Sequence, residues 1–192
     1  MNNKINNFDD GLVVDNFLDR DLYQELIYYI HDCDWKYGWP TSNSVKKYIF
    51  NCNHAKVSKF NKENIEEKLD NMLLKVWNAI KKKFGLTSLY NCYSNLMVEG
   101  LHAYPHYDSE EEDQVTVVLY ICHQWDISYG GSTSIIRDNE IFKTVLPCPN
   151  RAFAFSGNQL HLVQSLTANC INPRITLMFK GYVGKNSNII AQ

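Results

Sequence analysis

The sequence predicts an α+β protein in which two amphipathic helices pack against an antiparallel β-sandwich or barrel. Three observations carry this. Apolar residues recur at helical spacing in two stretches of the first half, Leu18, Leu22, Leu26 and Ile30, then Ile65, Leu69, Met72, Leu73, Val76, Ile80 and Phe84. After Gly85 the pattern changes to short β-rich runs divided by turn residues. The length of 192 residues, 45% of them hydrophobic, suits one domain with a sizeable core.

Residues 1–10 read as a polar start and Leu12–Val14 as a short strand. Asn16 is placed to cap the first helix, which ends near Asp34. Trp35 to Ser44 reads as a loop rich in aromatic and turn-forming residues. Lys46, Lys47, Lys56, Lys59 and Lys62 follow in a basic stretch with little periodicity. The second helix spans roughly Glu63–Phe84, with Gly85 suited to end it. Eight strands are then predicted: Leu89–Val98, Ala103–Tyr107, Gln114–Cys122, Thr133–Asp138, Glu140–Leu146, Ala152–Ser156, Gln159–Ser165 and Arg174–Tyr182. Asp138-Asn139 reads as a tight hairpin turn. Residues 1–85 thus form a helical support and substrate-loop region, and residues 86–184 the β core, of a single domain.

The net charge of −2 demands neither nucleic acid nor an anionic membrane as partner. No apolar run approaches the roughly 20 residues of a membrane span. The start, Met-Asn-Asn-Lys-Ile, lacks the apolar core of a signal peptide, so a cytoplasmic protein is expected. Six cysteines, Cys33, Cys52, Cys92, Cys122, Cys148 and Cys170, contain no C-x-x-C pair. That spacing argues against a zinc cluster or thioredoxin-type site. The thiols are expected to be reduced and mostly buried. Oligomeric state is left open.

The chemistry begins at His106-Tyr-Asp108. In a strand, residues i and i+2 share a face, so this imidazole and carboxylate can converge. His161 offers a third ligand. Two imidazoles and a carboxylate on one side of an octahedral ion leave the other side open, which suits non-haem iron(II). Arg174 and Thr176 share a strand face in Arg174-Ile-Thr-Leu-Met-Phe179. A buried guanidinium there needs an anionic partner, and a dicarboxylate cosubstrate would supply one bidentately.

These residues, in this order, resemble the prolyl 4-hydroxylase-like branch of the 2-oxoglutarate/Fe(II)-dependent oxygenase superfamily. Leu101–Asp108 is similar to its H-x-D strand. Thr116–Tyr120, Trp125-Asp126 and Gly130-Gly131-Ser-Thr133 are similar to its strand, tryptophan and glycine-pair signature. Arg151–Phe155 and His161–Val163 resemble the strand and turn that deliver the distal histidine. Arg174-Ile-Thr176 resembles its R-x-S/T motif. The likeness covers about residues 89–182, and more loosely the helix at 17–31. It departs at Ser132, where many relatives have Glu, and in Gln164–Pro173, which lacks a glycine common before the arginine.

The resemblance implies a double-stranded β-helix, or jelly-roll, flanked by the two helices. It implies iron held by His106, Asp108 and His161. It also implies 2-oxoglutarate bound through Arg174, with Tyr120 and Thr176 assisting, and oxygen, with ascorbate as an optional accessory. The expected activity is hydroxylation of a peptidyl, prolyl-type residue or a small molecule, with release of succinate and CO2. A carboxylate at Asp108 argues against a halogenase, where a small residue opens a site for chloride. Two alternatives stay open: a non-catalytic cupin-like metal-binding protein, and a nucleic-acid demethylase of the same superfamily. No nucleic-acid or membrane partner is expected. His102 and His123 read as structural. Trp35, Tyr37 and Trp39 divide between core packing and a substrate entrance. The lysines of 46–62 read as a solvated face before a grip on an acidic substrate. Glu110–Asp113 reads as a solvated loop beside the site, able to act as a flap.

Overall fold

The computed structural model describes residues 8–42, 45–56 and 65–184. Helix α1 spans Arg20–His31 and buries Tyr23, Leu26, Ile27 and Ile30. Asp19, not Asn16, caps it, its side chain accepting from the Leu22 N–H at 2.9 Å. Asn16 instead takes a left-handed conformation, φ 50°, in the turn upstream. Helix α2 spans Asn71–Phe84 and begins later than the periodicity suggests. Asp70 accepts from the Leu73 N–H and sets the start, while Ile65–Lys68 forms a separate 3-10 turn; residues 63 and 64 lie outside the described residues. Gly85, φ 68°, ends the helix by donating its N–H to the Lys81 carbonyl.

The strands are β1 (Leu12–Val14), β2 (Lys36–Ser42), β3 (Val45–Lys56), β4 (Leu86–Met97), β5 (Ala103–His106), β6 (Gln114–Ile121), β7 (Thr133–Arg137), β8 (Glu140–Val145), β9 (Ala152–Ser156), β10 (His161–Val163) and β11 (Arg174–Val183). Asp138 and Asn139, φ 51° and 62°, make the β7–β8 hairpin turn. The pair β2–β3 corrects the loop expected there. β3 gains order by pairing with β4, from Phe50↔Leu96 to Lys56↔Asn91. Register shifts at Tyr37/Trp39 and Pro40/Ser42 absorb the glycine and proline that disguise β2.

Seven strands form one sheet in the order β1-β9-β6-β11-β4-β3-β2, and four form a second in the order β5-β10-β7-β8. All pairings are antiparallel. The helices cover the outer face of the large sheet. There Val115, Val117 and Leu119 of β6 and Ile175, Leu177 and Phe179 of β11 join the α1 and α2 side chains in one core, with Trp77 stacked on Phe179 at 5.8 Å. A second core between the sheets holds Val118, Tyr120, Ile135, Phe153 and Phe155. This is a double-stranded β-helix with two supporting helices. Among the described residues no helix is long and apolar enough to cross a membrane. All six cysteines are free thiols; Cys92 and Cys170 are buried and the other four only partly so.

Candidate active site

The antiparallel pair β5–β10 sets His161 directly opposite His106, with ring centroids 4.3 Å apart. Strand β5 ends at His106, so Asp108 is not delivered by strand alternation as expected. The turn after β9 does it instead: the Asp108 and Ser109 N–H groups both donate to the Gly157 carbonyl, at 2.9 and 3.0 Å. The carboxylate then lies 3.8 Å from His106 Nε2 through Oδ1 and 3.7 Å from His161 Nε2 through Oδ2.

The tautomers follow from the outer hydrogen bonds. His106 Nδ1 faces the Tyr104 carbonyl at 2.7 Å, and His161 Nδ1 faces the Gln159 carbonyl at 2.9 Å. A carbonyl only accepts, so each Nδ1 carries a proton, which leaves Nε2, on the side of Asp108, as the nitrogen able to bind a metal. Burial pushes the His161 imidazole below its usual range. Burial pushes the Asp108 carboxyl up, but the His161 ring, the Lys180 ammonium and the Thr116 hydroxyl outweigh this and hold it well below the ordinary carboxylate range. Two imidazole nitrogens and one carboxylate within 4.8 Å of one another are a donor set that fits a divalent iron ion.

The three groups open on a cavity of about 430 Å³. Arg174 enters the same cavity from β11, 3% exposed. Its Nε donates to the Gly131 carbonyl (2.7 Å), its Nη2 to Thr133 Oγ1 (3.0 Å), and its Nη1 faces Met97 Sδ at 3.8 Å. Among the described residues no carboxylate pairs with it. Burial accordingly pushes its guanidinium below its usual range. Thr133 Oγ1 also accepts from the Tyr120 hydroxyl at 2.9 Å. With both its lone pairs engaged, the Thr133 hydrogen is left to donate elsewhere, and Thr133 lines the cavity. A guanidinium and a free hydroxyl donor fit a carboxylate.

Thr176 is buried and lines the cavity. Tyr120 is fully buried but does not line it; it stands behind Thr133, its ring 5.3 Å from the Arg174 guanidinium carbon. The glycine pair explains itself here. Gly131 has φ 72°, and a β-carbon there would meet Leu166 at 2.8 Å and Arg174 Cδ at 3.1 Å, so only glycine lets its carbonyl reach Arg174. Ser132 is buried and donates to Gln164 Oε1.

Sequence reasoning missed Lys180. Its Nζ donates to Asp108 Oδ1 at 2.7 Å, with its side chain 12% exposed. Burial would lower its pKa, but Tyr93 and Asp108 outweigh that and raise it. The signal was strand parity: Arg174, Thr176, Met178 and Lys180 alternate onto one face. Thr116, which donates to Asp108 Oδ2 at 2.7 Å, was likewise missed. Of the basic stretch, Lys56 lines the cavity, while Lys59 and Lys62 and the side chains of Trp39, Lys46 and Lys47 lie outside what the structure describes. Tyr37 is exposed and packs on Phe50, and Trp35 is half-buried against the helical core. His102 packs on the Tyr104 ring at 4.5 Å and is not among the cavity's lining residues. His123 is exposed and lines a separate groove. Glu110–Glu112 are exposed.

No protein-family model matches the sequence, and no curated protein does. Solved structures do. A 2OG-Fe(II) oxygenase family oxidoreductase from Burkholderia pseudomallei aligns at a TM-score of 0.71 and 12% identity, over 93% of this chain and 89% of that one. A Pseudomonas putida prolyl-4-hydroxylase aligns at 0.62 and 18%, over 92% and 94%. A Trichoplax adhaerens prolyl hydroxylase, solved with a hypoxia inducible factor peptide fragment, aligns at 0.61 and 17%, over 91% and 84%. At these identities the likeness establishes architecture: the chain has the fold of the 2-oxoglutarate- and iron(II)-dependent oxygenases.

Proposed function

We propose that the chain is an iron(II)- and 2-oxoglutarate-dependent dioxygenase that hydroxylates a peptidyl, prolyl-type residue or a small molecule. The observation that carries this is Arg174, a buried guanidinium with no carboxylate partner among the described residues, facing the same cavity as His106, Asp108 and His161. A metal-binding module without a cosubstrate leaves that cation unexplained. Nucleic-acid demethylation finds no support in a net charge of −2.

His106 Nε2, His161 Nε2 and the Asp108 carboxylate would hold iron. Arg174 would pair with the distal carboxylate of 2-oxoglutarate, with the Thr133 and Thr176 hydroxyls beside it and Tyr120 fixing Thr133 from behind. When bound, iron and 2-oxoglutarate supply the oxidation, in which dioxygen, 2-oxoglutarate and a substrate C–H give succinate, CO2 and a C–OH. The protein's share is positional. Tyr104 and Gln159 carbonyls lock the two imidazoles, and Thr116 and Lys180 lock the carboxylate. Met97, Val118, Phe155 and Met178 give the cavity apolar surface beside these polar groups. Lys56, Asn91 and Asn95 add polar groups suited to a substrate that carries a carboxylate or amide.

The test is a succinate-release screen of the iron-loaded protein against peptides and free amino acids. One substrate class should raise succinate above the substrate-free level, and Asp108→Ala should abolish the rise. Absence of 2-oxoglutarate consumption under every condition contradicts the reading.

A further inference from the structure

We infer that the chain carries a second metal site, for zinc, on the opposite face of the large sheet from the cavity, built by Cys33, Cys52 and His54. The sequence offers no C-x-x-C spacing, and the fold assembles the donors from distant segments. Cys33 follows the end of α1. Cys52 and His54 sit two residues apart on β3. Their ligand atoms all lie within 4.8 Å of one another, with Cys52 Sγ 4.0 Å from His54 Nδ1. Tetrahedral zinc bound by sulfur and nitrogen sets its ligand atoms roughly 3.5–3.8 Å apart, so modest side-chain rotation closes the set.

The histidine is already oriented for the task. His54 Nε2 is held at 2.8 Å by Ser94 Oγ from the neighbouring strand. A hydroxyl that accepts the Nε2 proton leaves the Nδ1 lone pair facing the Cys52 thiol, the arrangement of a metal-bound imidazole fixed by its outer partner. Cys33 Sγ donates to the Tyr29 carbonyl at 3.5 Å, a weak thiol hydrogen bond that coordination would replace. Thiolate and imidazole donors select zinc, whereas the two imidazoles and carboxylate of the cavity suit iron. Water would complete the tetrahedron as fourth ligand. On coordination each thiol releases its proton to solvent as the thiolate–zinc bond forms.

The consequence is mechanical. β3 also supplies Ile49 and Lys56 to the cavity wall. Zinc between β3 and the end of α1 ties that wall to the helical layer.

Cobalt(II) titration of the reduced 192-residue chain tests this independently of the oxygenase reading, because only a thiolate-bearing site gives a sulfur-to-cobalt charge-transfer band in the near ultraviolet. At saturation the titration should produce the band together with the intense visible transitions of a tetrahedral ion. Zinc should bleach both, and Asp108→Ala should leave them intact. Cys52→Ser, and separately the half-buried Cys33→Ser, should each abolish the band, while Cys122→Ser should keep it. A wild-type protein without the band overturns the site, as does a band indifferent to both serine variants. So does mass spectrometry showing a Cys33–Cys52 disulfide in place of bound metal.

Discussion

The two faces of β11 differ sharply. Ile175, Leu177 and Phe179 point to the helices and lie in a continuous apolar core with Trp77, Ile80 and Phe84. Arg174, Thr176, Met178 and Lys180 point into the cavity. One strand thus carries the packing that stabilises the fold and the cations that organise the site. The cavity face differs within itself as well. Lys180 has a protein anion, Asp108, at 2.7 Å, whereas Arg174 has none among the described residues. Burying a charge is costly unless it is paired. The paired cation is therefore satisfied within the folded protein, and the lone one is what the proposed dicarboxylate would satisfy.

Substitutions break this contrast at different points. The largest effect is expected from Asp108→Ala, which removes the shared carboxylate and should take succinate formation to background in a coupled assay. Trp77→Ala strikes the outer face. It should cost about 3–5 kcal/mol in urea unfolding, while the fraction still folded keeps its affinity for 2-oxoglutarate. A parallel loss of affinity would show that the faces are not separable.

Arg174→Met should weaken 2-oxoglutarate binding by roughly 100-fold or more, the cost of leaving a carboxylate unpaired in a buried site. The same change should raise the stability of the protein without cosubstrate, measured by thermal denaturation, because an unpaired buried cation is gone. Lys180→Met should do the reverse. It should destabilise the metal-free protein by roughly 2–3 kcal/mol, less than for a wholly buried pair because the ammonium keeps some solvent contact. Added divalent metal should restore more stability to this variant than to wild type.

The pH dependence has a definite sign. Asp108 is depressed on folding, so its contribution is present above the unfolded carboxyl value of about 3.9 and lost as pH falls through the folded one. Lys180 is raised, so its contribution is present below about 10.4 and lost as pH rises through the folded value. The Lys180→Met deficit should be flat across neutral pH and shrink only toward strong acid or strong base. The smallest effect is expected from Tyr120→Phe. It deletes one hydrogen bond to Thr133, worth about 1 kcal/mol, and should weaken 2-oxoglutarate binding by about fivefold in isothermal titration.

Local pattern explains what was legible in the sequence. The strands after Gly85 are short, β-rich and flanked by turns, and Arg174–Val183 differs from its expected range by one residue. The triad and Arg174 were legible because the motif order preserves their relation. β2 and β3 were not, because their pairing depends on the edge of β4 and on register shifts that no periodicity records. Asn16 yielded to Asp19 because capping depends on the backbone turn that precedes the helix. Lys180 was legible in principle, being in phase with Arg174 and Thr176. The Cys33–Cys52–His54 grouping was legible only as Cys52-Asn-His54, since the third donor comes from another element.

The central claim is that His106, Asp108, His161 and Arg174 form one iron and 2-oxoglutarate site. Anaerobic addition of iron(II) and 2-oxoglutarate to the full chain, followed in the visible, tests it most directly. A weak charge-transfer band that saturates at one equivalent of each, is absent in Asp108→Ala and needs far more 2-oxoglutarate in Arg174→Met is the predicted result. No band in the wild-type protein at saturating iron and 2-oxoglutarate would contradict it.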